Sequence, residues 1–249
     1  FSITETNMGL YFMDNNSTSI YLYNGQFNDL SDHLGFKSWC ANNIMPDEYD
    51  KPLTEVFTSH YDKANGDIYF NNKDWSLCYS QLLGQFMSFY SYNGVPHMFN
   101  ISGDFYSVDA SGNAGLWKQH SGLPCHFYGS YKPFYTHIIA CPDMIYDKVF
   151  DTLDFRADSF TQEGNLTEDT FDTIECWNEY QRGTSSLIFE KGRPSTLKRL
   201  YRVWRANIPR EDNNPLGRLR NTWLNIRLSK NKANEYSTVL HDLTLHYTL

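Results

Sequence analysis

Eight histidines (His33, His60, His97, His120, His126, His137, His241 and His246) and five cysteines (Cys40, Cys78, Cys125, Cys141 and Cys176) are the side chains from which this sequence could build a nucleophile, a general base or a metal centre. Neither set has the spacing that such chemistry needs. Structural zinc sites draw on closely spaced Cys and His pairs, and the sequence contains no C-x-x-C and no H-E-x-x-H. It also lacks the G-x-S-x-G elbow of a serine hydrolase and the Gly-Lys-Ser/Thr ending of a phosphate loop. His241 falls on an apolar strand face and reads as a satisfied core residue rather than a ligand. Asp62-Lys63-Ala64-Asn65-Gly66-Asp67 is rich in oxygen ligands but lacks the alternation and closing Glu of an EF-hand, so a hairpin turn is expected there. The sequence therefore assigns no catalytic residue, metal or cofactor, and the chain is read as a non-enzyme.

The stronger lead is cationic. From residue 191 onward 12 Lys+Arg stand against 4 Asp+Glu, a net +8, while residues 1–190 carry 9 against 25, a net −16. Arg199, Arg202, Arg205, Arg210, Arg218, Arg220 and Arg227 lie in the basic portion. In an uninterrupted strand Arg199 and Arg205 would share one face and Arg202 the other, so they form no single stripe. Three readings compete: an assembly interface exploiting forked hydrogen bonds and aromatic stacking, a channel wall touching nucleic acid with steep salt dependence, or exposed charges guarding strand edges. The overall net charge of −8 argues against a dedicated DNA binder. The interface reading is preferred.

The elements that would position these residues are strands. Glycine followed by an aromatic run recurs at Gly9-Leu10-Tyr11-Phe12, Gly66-Asp67-Ile68-Tyr69-Phe70 and Gly103-Asp104-Phe105-Tyr106. In the first two, a polar turn leads to a second aromatic strand, at Ser19 to Tyr23 and Trp75 to Tyr79, as a hairpin requires. The repetition predicts propeller-like blades in 1–145, incomplete in themselves and continued upstream or in a partner chain. Ser107 to Trp117 loosely resembles the Asp-box turn of sialidase-type propellers with altered spacing, which supports a hairpin more than an activity. After Cys141-Pro142-Asp143 the pattern changes. Phe150-Asp151-Thr152-Leu153-Asp154 is echoed by Phe171-Asp172-Thr173-Ile174-Glu175, with a polar loop expected from Arg156 to Asp169. Strands are expected at 186–190, 197–208, 219–228 and 236–249. In the last, Val239, His241, Leu243, Leu245, Tyr247 and Leu249 share the expected core face. The predicted class is all-β: propeller-like aromatic hairpins followed by an antiparallel β-sandwich in 146–249.

Composition agrees: hydrophobic residues make up 41% and aromatics 16% of 249 residues, enough for a sizeable core of pleated, aromatic surfaces. An odd number of cysteines without paired spacing predicts free thiols and folding in a reducing cytoplasm. No apolar run is long enough to span a membrane and no signal-peptide pattern opens the chain. It begins at Phe1, which reads as a trimmed start or a fragment released from a longer polypeptide.

Several segments carry a family likeness: Phe150 to Phe155, Phe171 to Ile174, Asn178-Glu179-Tyr180-Gln181, Trp204-Arg205-Ala206-Asn207-Ile208-Pro209-Arg210, and Arg218-Leu219-Arg220 leading to Trp223-Leu224. With them the sequence resembles the carboxy-terminal part of the tail stabilisation, or muzzle, proteins of crAss-like bacteriophages. None of these segments is a catalytic motif. The resemblance implies a structural virion protein at the tip of a short tail, folded in the bacterial host cytoplasm. Its partners would be identical copies in a ring, other phage tail proteins, the remainder of the same polypeptide, and packaged DNA through weak contact. It would close the tail and retain DNA or cargo until ejection. A second reading, from the aromatic richness and the Asp-box-like turn, is a carbohydrate-binding or glycan-cleaving propeller module such as a receptor binder, with Trp75 or Trp117 as sugar platforms; a third is a β-sandwich adhesion domain.

Overall fold

The computed structural model describes residues 3–33, 35–44, 57–92, 97–108, 115–190, 195–232 and 236–249. Among the described residues the fold is all-β apart from one eight-residue helix, α1 (Phe36–Asn43). It divides into two compact units, residues 1–121 and 122–249.

In the first unit, aromatic strands joined by polar turns form three antiparallel meanders. The first is β1 (Ile3–Thr6), β2 (Gly9–Asp14), β3 (Ser19–Tyr23) and β4 (Phe27–Asp29); the second is β5 (Thr58–Asp62), β6 (Asp67–Asn71), β7 (Ser76–Ser80) and β8 (Gln85–Tyr90). The third places β10 (Asp104–Val108) between β9 (His97–Ile101) and β11 (Leu116–Lys118). The glycine that opens β2 is required by the backbone: Gly9 has φ +137, and a Cβ there would collide with the Tyr23 carbonyl. Alternation puts Tyr11, Met13, Ile20 and Leu22 on one face of the first sheet, where they meet Ile68, Phe70, Leu77 and Tyr79 of the second. The opposite face of the second sheet offers Tyr69 and Cys78 to Met98 and Phe105 of the third. At the edge, β1 lies beside β5, and β5 beside β9.

The second unit has two antiparallel sheets around one core, besides a small hairpin of β12 (His126–Phe127) and β13 (Ser130–Tyr131). One sheet runs β14 (Phe134–Ala140), β22 (Leu224–Lys230), β17 (Thr173–Trp177), β18 (Arg182–Ser186). The other centres on the long β15 (Lys148–Phe160), which pairs with β16 (Leu166–Thr167), β20 (Val203–Asn207), β21 (Arg220–Asn221) and β23 (Ser237–Thr248); β19 (Leu197–Leu200) flanks β20. Ile174, Cys176, Ile226 and Leu228 from the first sheet share the core with Leu153, Phe155, Trp204 and Ala206 from the second. Trp204 is fully buried, and its indole Nε1 donates to the Ala157 carbonyl at 3.0 Å, so the largest apolar side chain of the core is also satisfied as a donor.

Several expectations change here. Residues 156–160 continue β15 instead of opening a loop, because Ala157, Asp158 and Ser159 are buried between β15's neighbours. Residues 187–190 are not a strand; β18 ends at Ser186. The stretch 197–208 is a hairpin, not one strand: Leu200 pairs with Val203 across Tyr201 and Arg202, which have φ 49 and 67. On β23 the parity breaks where His241 is an extra residue opposite the Arg156/Ala157 step. Leu243 and Leu245 reach the core as expected, whereas on the other side of the bulge Leu240 takes the place expected for Val239; Val239, Tyr247 and Leu249 are exposed. β14, which precedes residue 146, pairs with β22 from Phe134 to Ala140. Residues 109–114 of the Asp-box-like segment lie outside the described residues, but its flanks pair as a hairpin, Val108 opposite Leu116. Phe1 and the Gly192-Arg193-Pro194 turn also lie outside them.

Candidate functional site

The charged outer face of the sheet centred on β15 collects three of the seven candidate arginines, Arg202, Arg205 and Arg218. Asp154, Arg156 and Asp158 occupy alternate positions, so they share the face opposite Leu153, Phe155 and Ala157. Arg205 stands directly across from Asp154 on β20 and grips it with two bonds, Nε to Oδ1 at 2.6 Å and Nη2 to Oδ2 at 2.5 Å. From β23, His246 Nε2 reaches the same carboxylate at 3.1 Å. The Arg205 guanidinium therefore holds the Asp154 carboxyl below its usual range, against the opposing effect of partial burial and with help from His246. Asp158 repeats the arrangement: Arg202 Nη2 lies 2.5 Å and His241 Nε2 3.1 Å from its Oδ2. Between them Arg156 pairs with Asp242 of β23, and at the far end Arg218 Nη1 is 2.8 Å from Asp151 Oδ1.

The remaining candidates separate. Arg199 lies on the opposite face from Arg205, because the hairpin puts it across from Trp204. Its guanidinium covers the Trp204 ring at 4.8 Å and lies 3.9 Å from Glu168. Arg227 is on the other sheet, between the rings of Tyr135 at 4.7 Å and Trp177 at 5.1 Å, with Glu175 3.4 Å away. Arg210 and Arg220 are exposed and have no carboxylate in ion-pair range among the described residues. Arg210 and Arg218 line a cleft of about 680 Å³ together with Asp151, Asn207, Glu211 and Asp212.

Five of the seven arginines thus have a carboxylate partner within their own unit: Arg199, Arg202, Arg205, Arg218 and Arg227. Summed by unit, the charge split disappears from the second half. Residues 122–249 hold 16 Lys+Arg and 16 Asp+Glu, while residues 1–121 hold 5 against 13 and so carry the whole net −8. The basic end of the chain is folded against acidic β15 and β17.

Comparison with known families bears on what such a chain is for. Residues 1–111 match the Crassvirus muzzle protein family, and residues 124–211 match the Crassvirus muzzle protein C-terminal domain. The chain belongs to the crassvirus muzzle protein family. It is 45% identical over 247 residues to the muzzle protein of Bacteroides phage crAss001, an alignment covering 99% of this chain and 18% of that relative. The two matched regions fall one in each unit, 1–111 within 1–121 and 124–211 within 122–249.

Within this muzzle chain the residues offered for chemistry have structural surroundings. Cys40, Cys78 and Cys176 are buried free thiols, and burial raises all three pKa values, Cys40 to about 11 and Cys78 to about 12, so none is a ready thiolate. Trp75 packs against Trp39 and Phe57 at centroid distances of 5.0 and 5.8 Å and belongs to a core, not to a sugar platform. His241 is an ion-pairing bulge residue rather than a core one. Among the described residues no cluster of His, Cys, Asp and Glu could hold a metal ion, and no helix is long and apolar enough to cross a membrane.

Two buried lysines were not singled out in the sequence, and His120 was not matched to its partner. Lys148 is fully buried, and its Nζ donates to the carbonyls of Asp143, Tyr146 at 2.8 Å and Thr222 at 3.3 Å. Lys230, nearly buried, is 2.6 Å from Asp169 Oδ1 and bonds the Thr170 carbonyl. In the first unit, His120 Nε2 meets the buried Asp62 at 2.9 Å while its ring stacks on Phe105. Only a lysine at a strand end, Lys148 opening β15 and Lys230 closing β22, and an acid in an Asn-Gly turn could have signalled them.

Proposed function

We propose that this chain is a structural part of a phage virion, a region of the muzzle that closes the tail and retains packaged DNA or cargo until ejection. The observation that carries this reading is the family match, which reaches into both units. The relative's name supplies the muzzle assignment, and the chain spans 18% of that relative's length. The three meanders of the first unit, with their first strands side by side, support blade-like repetition. The shared core of the second unit's two sheets supports a β-sandwich.

In this reading the ladder of acid and arginine pairs braces the second unit, which suits a part that bears load rather than catalyses. Identical copies and other tail proteins remain the partners, and a head-to-tail contact closes a ring by rotation. The interface role moves from the seven arginines to Arg210 and Arg220, which are exposed and have no carboxylate in ion-pair range among the described residues. A neutral unit with five neutralised arginines releases few counterions on meeting DNA, so contact with packaged DNA is weak. Mass spectrometry of DNA-filled particles tests the assignment. Peptides of this chain are expected at a fixed ratio to other tail proteins, and blocking its synthesis is expected to yield particles that lose their DNA. Particles that lack the chain and still retain DNA would contradict it.

A further inference from the structure

A sheet face that meets water in this protein has a recognisable chemistry: Asp154, Arg156 and Arg205 cover the outer face around β15. The outer face of the first meander has the opposite chemistry. Its inner face is spent on the second meander through Tyr11, Met13, Ile20 and Leu22. The alternate positions carry Ile3, Leu10, Phe12, Tyr21, Tyr23 and Phe27, brought side by side by the register Ile3–Phe12–Tyr21 and Leu10–Tyr23–Phe27. Ile3 is 62% and Phe27 70% exposed. Phe27 already has Tyr23 at 4.9 Å, Phe12 at 6.3 Å and Tyr21 at 6.4 Å between ring centroids, so the patch is ordered and contiguous. Glu5, Asp14 and Asp29 border it, which is the apolar centre and polar rim of an interface.

We propose that this face is the docking surface for a further antiparallel sheet of the same meander type, supplied by the muzzle polypeptide outside these 249 residues. Two observations choose that occupant. The first is continuity: the first meander packs on the second and the second on the third through aromatic and aliphatic faces of this same composition, with first strands adjacent at each step. A fourth sheet on Phe27 and Ile3 extends an interface the unit uses twice. The second is length: the 45% identical relative, of which this chain spans 18%, has ample chain to supply it. The proposal deepens the structural reading, resting on muzzle membership but not on tail closure or DNA retention.

Hydroxyl-radical footprinting followed by mass spectrometry reads the face directly. Tyr23 and Phe27 should be oxidised readily in the isolated chain and lose that oxidation in assembled particles. Equal oxidation in both would overturn the proposal, although the chain's presence in the particle would still be established by its other peptides. A benzophenone side chain placed at position 27 by Phe27→p-benzoylphenylalanine identifies the occupant. Cross-linking in the particle to a strand of the same polypeptide outside residues 1–249 is the expected result. Cross-linking to residues 97–118 of a second copy, or to a different protein, would overturn it. Because Phe27 faces outward, the substitution leaves the inner core intact, and circular dichroism of the isolated variant confirms folding.

Discussion

Asp62 and His120 show how a pair of side chains can brace a sheet without doing chemistry. Burial works to raise the Asp62 pKa, but it is outweighed by His120, the Asn65 amide and the Ala64 N–H, which together hold the carboxyl below its ordinary range. In return the bond to Asp62 holds His120 above its ordinary value, against burial. The signs define a window. The carboxylate's contribution is present above its unfolded pKa of about 3.9 and is lost as pH falls through the lowered folded value; the histidine's is present below about 6.5 and is lost as pH rises through the raised folded value. The thermal midpoint of His120→Gln should therefore lie furthest below the parent between about pH 4 and pH 6.5, with the gap closing on either side. A gap that does not vary with pH would show that the ion pair contributes nothing. Arg210 and Arg220, which have no acidic partner among the described residues, give a contrasting expectation: Arg210→Glu and Arg220→Glu should leave the thermal midpoint of the isolated chain unchanged, since neither substitution breaks a described pair.

At the scale of elements, what could be read in advance was local. The glycine-aromatic repeats became β2, β6 and β10, and the Asp62 to Asp67 segment became the hairpin turn between β5 and β6, because alternation and Asn-Gly chemistry are set by neighbouring residues. The errors came from features whose cause lies elsewhere in the chain. The β19 to β20 turn uses Tyr201 and Arg202 in left-handed conformations, and neither residue type advertises that backbone. Arg202 is held there by Asp158, 44 positions away. The bulge at His241 likewise answers to β15, and it reverses the parity of the residues before it, so that Leu240 rather than Val239 packs on the core while Leu243 and Leu245 keep the expected face. The site was legible as a set of arginines but not as a set of pairs, since register between distant strands decides which acid each one meets. Two substitutions follow. Tyr201→Gly relieves a left-handed side chain that is 91% exposed and should stabilise the protein by about 1 kcal/mol in denaturant titration. Trp204→Ala empties the centre of the second unit and should cost about 3–5 kcal/mol, measured the same way.

For the whole molecule, charge is the property that folding redistributes. Along the sequence the chain looks polar, with −16 in residues 1–190 and +8 after them; by unit it is −8 and zero. The antiparallel register of β20, β15 and β23 sets opposite charges across from one another, Arg205 against Asp154 and Arg156 against Asp242, so the attraction that seemed available to a partner is used within the unit. The five paired arginines are thereby spent inside the second unit. The bidentate Asp154–Arg205 pair offers the most direct test of this self-pairing. Thermal unfolding should be measured for Asp154→Arg, for Arg205→Asp and for the two together. Internal pairing predicts that each single change lowers the midpoint and that the double swap recovers most of the loss. Single changes without effect, or a double variant that falls by the sum of the two, would contradict it.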